Sequence, residues 1–143
     1  MFKKVLVPVD LAEPEFTREA LKYALRELRD GAEELHMITV VPGFSNALVA
    51  SYFSQKDHTK AVEEVARQFY KEAAEMLPED LEPILKVYEG SPAEMINRYI
   101  KKNAVDLVIM RAHHRNKFDE FLLGSVSARV AERAGCTVML LKN

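Results

Sequence analysis

Three groups of residues in this chain have the types and spacing to do chemistry. The first is Asp10, the acid that closes the apolar run Lys4-Val5-Leu6-Val7-Pro8-Val9. A carboxylate at the end of a buried strand accepts hydrogen bonds from ribose hydroxyls or holds a metal-bound water; equally, it caps the turn into the next helix. The second is Gly124-Ser125-Val126-Ser127, which reads as the start of a helix. Unpaired backbone N–H groups and the helix dipole favour a phosphate there. Glycine lets the backbone come close, and two serine hydroxyls add donors, although Gly-Ser is also an ordinary way to begin a helix. The third is the cationic run Arg111, His113, His114, Arg115 and Lys117, partly offset by Asp119 and Glu120. Such side chains clamp an anion or simply form a solvated loop.

Other chemistries find less support. His113 and His114 invite a metal, but no third and fourth ligand stands at suitable spacing. His36 lies mid-strand and reads as a satisfied core residue. His58 falls in an irregular connection. Cys136 has no histidine placed to activate it and reads as packing at the start of a strand. A Gly-x-Ser-x-Gly elbow and a Walker lysine are both absent. A phospho-receiver wants clustered acids at two strand ends, where this chain has only Asp10 and Glu89. No catalytic residue and no metal ligand is assigned.

The elements that must position these groups follow from periodicity. Lys4 to Val9 is apolar on both parities, as in a strand buried on both faces. Pro14 suits a first helical turn; Phe16, Ala20, Ala24 and Leu28 recur at helical spacing, and Gly31 stops the helix. Leu35 to Val41 is a second buried strand. Phe44 to His58 reads as a long irregular connection, and long connections in small domains often carry a role. A helix follows with Val62, Val65, Phe69, Ala73 and Met76 on one face. Pro83 to Glu89, with its proline and lysine, reads as an edge strand. Ser91-Pro92-Ala93-Glu94 predicts a helix start with a reciprocal cap, and Asn103 ends that helix. Asp106 to Met110 is a fourth strand, a short helix runs from Gly124 to about Ala134, and Thr137 to Leu141 is a fifth strand.

The alternation predicts an α/β fold: a five-stranded parallel sheet of order 3-2-1-4-5 with four main helices on both faces. Ligands bind such sheets at the carboxyl ends of the strands, at the switch point. Here that is Pro8 to Asp10 and Met110 onward.

Composition sets the bounds. The chain has 143 residues, 48% of them apolar, which suits one domain over residues 1–143 with one core. A net charge of -2 offers no general basic field for nucleic acid. A single cysteine permits no internal disulfide and fits a reducing compartment. Lys3-Lys4 before an apolar run faintly suggests a signal peptide, but Pro8 and Asp10 cut the run short. No apolar stretch approaches the roughly 18 residues of a membrane span. The expected location is the cytoplasm.

These segments together resemble the universal stress protein family. Lys4 to Asp10 is similar to its first strand, Gly90-Ser91-Pro92 to its Gly-x-Pro step, and Leu107 to Met110, Leu122-Leu123-Gly124-Ser125-Val126-Ser127 and Cys136-Thr137-Val138 to its carboxyl-terminal part. Nucleotide-binding members carry Gly-x-x-Gly, nine residues, then Gly-Ser or Gly-Thr. This chain keeps the spacing and the final Gly124-Ser125 but has Arg111 and His114 where the first two glycines stand. The segment Ala112-His113-His114-Arg115 before an intact Leu-Leu-Gly-Ser looks like a branch of short bacterial members.

The resemblance implies ATP or AMP as ligand, homodimerisation through the fifth strand (Thr137 to Leu141) and a role in stress resistance as a binding module, not a dedicated enzyme. By the same analogy, Val40 offers backbone bonds to adenine, Pro8 and Val9 border base and sugar, and Asp10 takes ribose hydroxyls. The phosphates fall to Gly124, Ser125, Val126 and Ser127, with His114 and Arg115 replacing the lost glycine cradle and Ala112 also at the site. Two rival readings are a nucleotide-free dimer acting by protein contact and an ATP-using enzyme of the related adenine-nucleotide α-hydrolase class.

Overall fold

The computed structural model describes residues 1–41, 55–112 and 124–142. Strand β1 (Lys4–Val9) leads to helix α1 (Pro14–Arg29), β2 (Glu34–Val41) and α2 (Gln55–Met76). There follow β3 (Ile84–Glu89), α3 (Pro92–Asn103), β4 (Leu107–Arg111), α4 (Ser125–Arg133) and β5 (Thr137–Leu141). The strands form one sheet of order β3-β2-β1-β4-β5, and every pairing is parallel. The predicted fold and strand order are therefore observed.

The sheet separates two apolar layers, because successive residues of a strand point to opposite faces. Val5, Val7, Leu35, Met37, Leu107 and Ile109 pack with Ala20, Leu21 and Ala24 of α1 and Phe69 and Ala73 of α2. Leu6, Ile38, Val108 and Met110 pack with Ala93, Ile96 and Ile100 of α3 and Val130 of α4. Helix α1 ends in a left-handed turn: Gly31 takes φ 119°, its N–H donates to the Leu28 carbonyl, and the Ala32 N–H donates to the Glu27 carbonyl. That pair of bonds closes the last turn, and glycine is the residue that adopts the conformation without strain. The start of β4 is tied to the start of β1 by Asp106, whose carboxylate accepts the N–H groups of Lys3 and Lys4.

Several local expectations are corrected. Residues 55 to 58, read as part of the irregular connection, are the first turn of α2. Ser91 occupies the N-cap of α3 in an extended conformation but makes no side-chain cap bond. Pro92 supplies the start by its fixed φ. Arg111 belongs to β4 rather than to the loop after it. Leu141, in the strand expected to pair two subunits, is 8% exposed and part of the core of its own subunit.

His36 was read as satisfied, and it is only half so. It is buried between β2 and α3, where Nδ1 lies 2.5 Å from the Tyr99 hydroxyl. Nε2 is shut off from solvent without a hydrogen bond; its neighbour Glu34 Oε1 stands at 3.7 Å. Burial holds the His36 imidazolium form down below its ordinary 6.5. Burial also pushes the Tyr99 phenol up to about 12, with Tyr88 and Glu34 adding to it. Both shifts tie stability to pH. The unfolded chain protonates His36 more readily than the folded one, so stability falls as pH drops below 6.5. The folded protein keeps the Tyr99 proton that the unfolded chain loses near pH 10. Its contribution is therefore full below pH 10 and is lost as pH rises toward 12, about 3 kcal/mol in all. Urea midpoints measured across that alkaline range should drop in the wild type and drop less in Tyr99→Phe. Equal slopes in the two proteins would contradict the assignment.

Candidate functional site

At the carboxyl edge of the sheet the chain changes its winding direction between β1 and β4. β1 pairs with β2 along six positions, Lys4 through Val9, but with β4 only at Val5 and Leu6, opposite Leu107 and Val108. Beyond Leu6 the ladder between the two strands ends, although Val7 and Ile109 stay buried in the same layer. Pro8, at this point, has no N–H to offer a neighbour. β4 meanwhile continues along β5 as far as Arg111 opposite Leu141, and the Ala112 N–H extends that ladder to the Leu141 carbonyl. The switch point of the sheet therefore lies between the ends of β1 and β4, from Val9 and Asp10 on one side to Arg111 and Ala112 on the other.

The end of β1 is fixed by a buried contact. The Thr39 hydroxyl donates to the Val9 carbonyl at 3.0 Å and is itself buried, which pins the end of β1 to β2. Sequence reading passed over Thr39; a lone hydroxyl near the end of an otherwise apolar strand was the available signal. Val40 stands one residue further on, opposite Tyr88 of β3. Asp10 is exposed, and its Oδ1 accepts the Ala12 N–H at 3.0 Å while its carbonyl accepts the Glu13 N–H. It thus closes the turn into α1, as one of its two readings held, with Oδ2 unengaged among the described residues.

Arg111 is engaged within the protein and not turned to a ligand. Its guanidinium lies 3.7 Å from the centre of the Phe16 ring and 3.2 Å from Glu19 Oε2, both on α1. Its charge is held there by a stacked cation and an ion pair. The rest of the cationic run, including His114 and Arg115, lies outside the described residues.

The chain leaves the carboxyl end of β4 and α4 returns to the amino end of β5, so α4 begins on the carboxyl side of the sheet. Its first intrahelical bond runs from the Ala128 N–H to the Gly124 carbonyl. The N–H groups of Ser125, Val126 and Ser127 precede it and have no intrahelical acceptor. No acidic side chain stands in this first turn, so nothing in it competes with an incoming anion. Ser127 is buried and its hydroxyl donates to the Gly124 carbonyl at 3.1 Å, which leaves its backbone N–H as the group available to a ligand. Ser125 is exposed. Cys136 does not join this edge; burial raises its thiol pKa, with Asp106 adding to the effect, so it is a poor nucleophile. Among the described residues no three His, Cys, Asp or Glu side chains gather as a metal site, and no helix is long and apolar enough to cross a membrane.

The sequence profile of the universal stress protein family matches residues 1–142. The chain belongs to that family. A universal stress protein of Methanocaldococcus jannaschii is 26% identical over 143 residues, covering 99% of this chain and 83% of its own length. One of Methanothermobacter thermautotrophicus is 26% identical, covering 99% and 97%. Among solved structures, hypothetical protein MJ0577 superposes with a TM-score of 0.78 at 27% identity, covering 100% of this chain and 97% of its own. A member from Arabidopsis thaliana with AMP bound superposes at 0.59, with 17% identity and coverage of 99% and 92%. A universal stress protein in complex with cAMP gives 0.61, with 16% identity and coverage of 98% and 96%. At such identities these last two share the fold of this chain.

Proposed function

We propose that this universal stress protein is a cytoplasmic adenine-nucleotide-binding module that takes AMP or ATP at the switch point between β1 and β4 and acts without a dedicated reaction. The observation that carries this reading is the end of the β1–β4 ladder at Leu6 and Val108, at the switch point of the sheet and on the side where α4 presents its unpaired N–H groups. A phosphate needs those donors, and a ribose needs an acceptor such as Asp10 at the end of β1. Relatives with AMP and cAMP bound support the ligand class. Pro8 and Val9 would border base and sugar, and the Val40 backbone would meet adenine. The N–H groups from Gly124 to Ser127 would hold phosphate, with Ala112 beside them and His114 and Arg115 reaching in. Arg111 keeps to α1 and takes no part.

Titration calorimetry with AMP and ATP tests the proposal. Arg115→Ala should remove a charge-assisted bond of about 1.5–3 kcal/mol, or roughly tenfold to a hundredfold in affinity. Absence of binding by the wild type, together with no nucleotide released on denaturing the purified protein, would favour the nucleotide-free dimer.

Homodimerisation is proposed through β5. It is the last strand of the sheet, and edge strands are normally paired or covered. Thr137 is exposed and Val138, Met139 and Leu140 are half-buried. Met139→Lys should therefore yield a folded monomer by light scattering. Leu141 is unsuitable for that test because it sits in the core. A folded Met139→Lys dimer would argue against this interface.

A further inference from the structure

A concavity of about 690 Å³ runs from the amino-terminal edge of the sheet along β3 as far as Tyr88. One wall is the edge strand β3, with Ile84, Lys86 and Tyr88; the other is the end of α3, with Tyr99 and Lys102; Lys4, Glu34 and His36 lie between them. These residues share one face of the sheet, the face of α3, because they alternate with core residues of the other face. Tyr88 and Tyr99 meet edge to face, with ring centres 5.9 Å apart, so the β3 wall is largely apolar at its inner end.

The polar groups divide into those already satisfied and those that are not. Lys4 is satisfied: Nζ lies 3.5 Å from Glu34 Oε2 and donates to the Asn103 carbonyl. Lys86 and Lys102 face the groove from its two walls and have no acceptor among the described residues. His36 is 4% exposed. Tyr99 keeps its proton and donates to Nδ1, while the Glu34 carboxylate near Nε2 favours the imidazole proton on Nε2. That N–H then lacks an acceptor in reach. A buried donor left so is costly and calls for a reason. The groove thus holds two uncommitted cations, one orphaned buried donor and an aromatic wall.

We propose that this groove is a second ligand site for a small planar acid, its flat body against Ile84 and Tyr88 and its carboxylate or phosphate held by Lys86 and Lys102 near His36. Rotation of the half-exposed Glu34 side chain uncovers Nε2 to the ligand. An anion beside His36 favours its protonated form, so binding tightens as pH falls. Lys4, Lys86 and Lys102 oppose that protonation, and Glu34 supports it. The groups that hold the acid, Lys86, Lys102 and His36, are distinct from those proposed for the nucleotide, although Tyr88 at the end of the groove stands opposite Val40.

The test is NMR of the His36 ring protons during titration of the intact protein with phenyl phosphate, benzoate and inorganic phosphate. Saturable shifts are expected with the two ring compounds, and also in Gly124→Val. The stronger of the two identifies the anionic group. The double variant Lys86→Ala/Lys102→Ala should weaken binding roughly threefold to thirtyfold, as two exposed charge pairs imply. Glu34→Gln, which removes the competing carboxylate and releases Lys4, should tighten it severalfold; a purely structural Glu34 would not give that gain. No saturable shift in the millimolar range, equal response to inorganic phosphate, or unchanged affinity in the double variant would overturn the proposal.

Discussion

A Gly124→Val variant is expected to fold and to lose AMP and ATP. Gly124 is the N-cap of α4 with φ -64° and ψ 160°, an extended conformation open to any residue. The backbone therefore does not require glycine there, and the fold tolerates valine at the modest cost of a poorer N-cap, about 1 kcal/mol. What the side chain removes is space. The N–H groups that follow have to lie within about 3 Å of phosphate oxygens to bond them, and a branched Cβ at the mouth of the helix holds the phosphate off. Losing even one charge-assisted bond of about 3 kcal/mol lowers affinity about a hundredfold. Circular dichroism and calorimetry on the same sample separate folding from binding. Full affinity in a folded Gly124→Val would mean the phosphate sits elsewhere.

Phe69→Ala should be the most damaging single substitution for stability. Phe69 is fully buried in the layer between α2 and the sheet, and its ring stacks beside that of Tyr70 at 5.9 Å between centres. Removing it leaves a cavity that a packed layer closes only in part, with an expected loss of about 3–5 kcal/mol. Against a total stability of about 5–15 kcal/mol, that is a large share. The loss should appear as a lower urea midpoint with an unchanged slope. A loss below about 1 kcal/mol would mean that α2 repacks freely over the sheet.

Much of this architecture was legible in the residues alone. Val5, Leu6 and Val7 are all fully buried, and an unbroken apolar run is what a strand covered on both faces requires. Alternating strands and helices then leave few topologies, because crossovers are right-handed. Gly31 marks the end of α1 by a conformation that other residues adopt poorly, and Pro14 marks its start by a fixed φ and a missing N–H. The switch point followed from the same order of strands, so the sequence pointed to Pro8 to Asp10 and to Met110 onward as the place to look for a ligand.

What local patterning could not supply was the choice of partner across the fold. Arg111 and Arg115 are the same residue type in one cationic run, yet Arg111 is held by Phe16 and Glu19. The parity of β4 aims it at α1, and α1 happens to carry an acid and a ring there. Thr39 and His36 are both polar residues in one apolar strand. Thr39 finds the Val9 carbonyl, while His36 satisfies one nitrogen and leaves the other without an acceptor. Periodicity fixes which face a residue takes, since that depends only on chain geometry and the drive to bury apolar surface. Which donor meets which acceptor depends on distances between residues far apart in sequence, and only the assembled tertiary structure decides them.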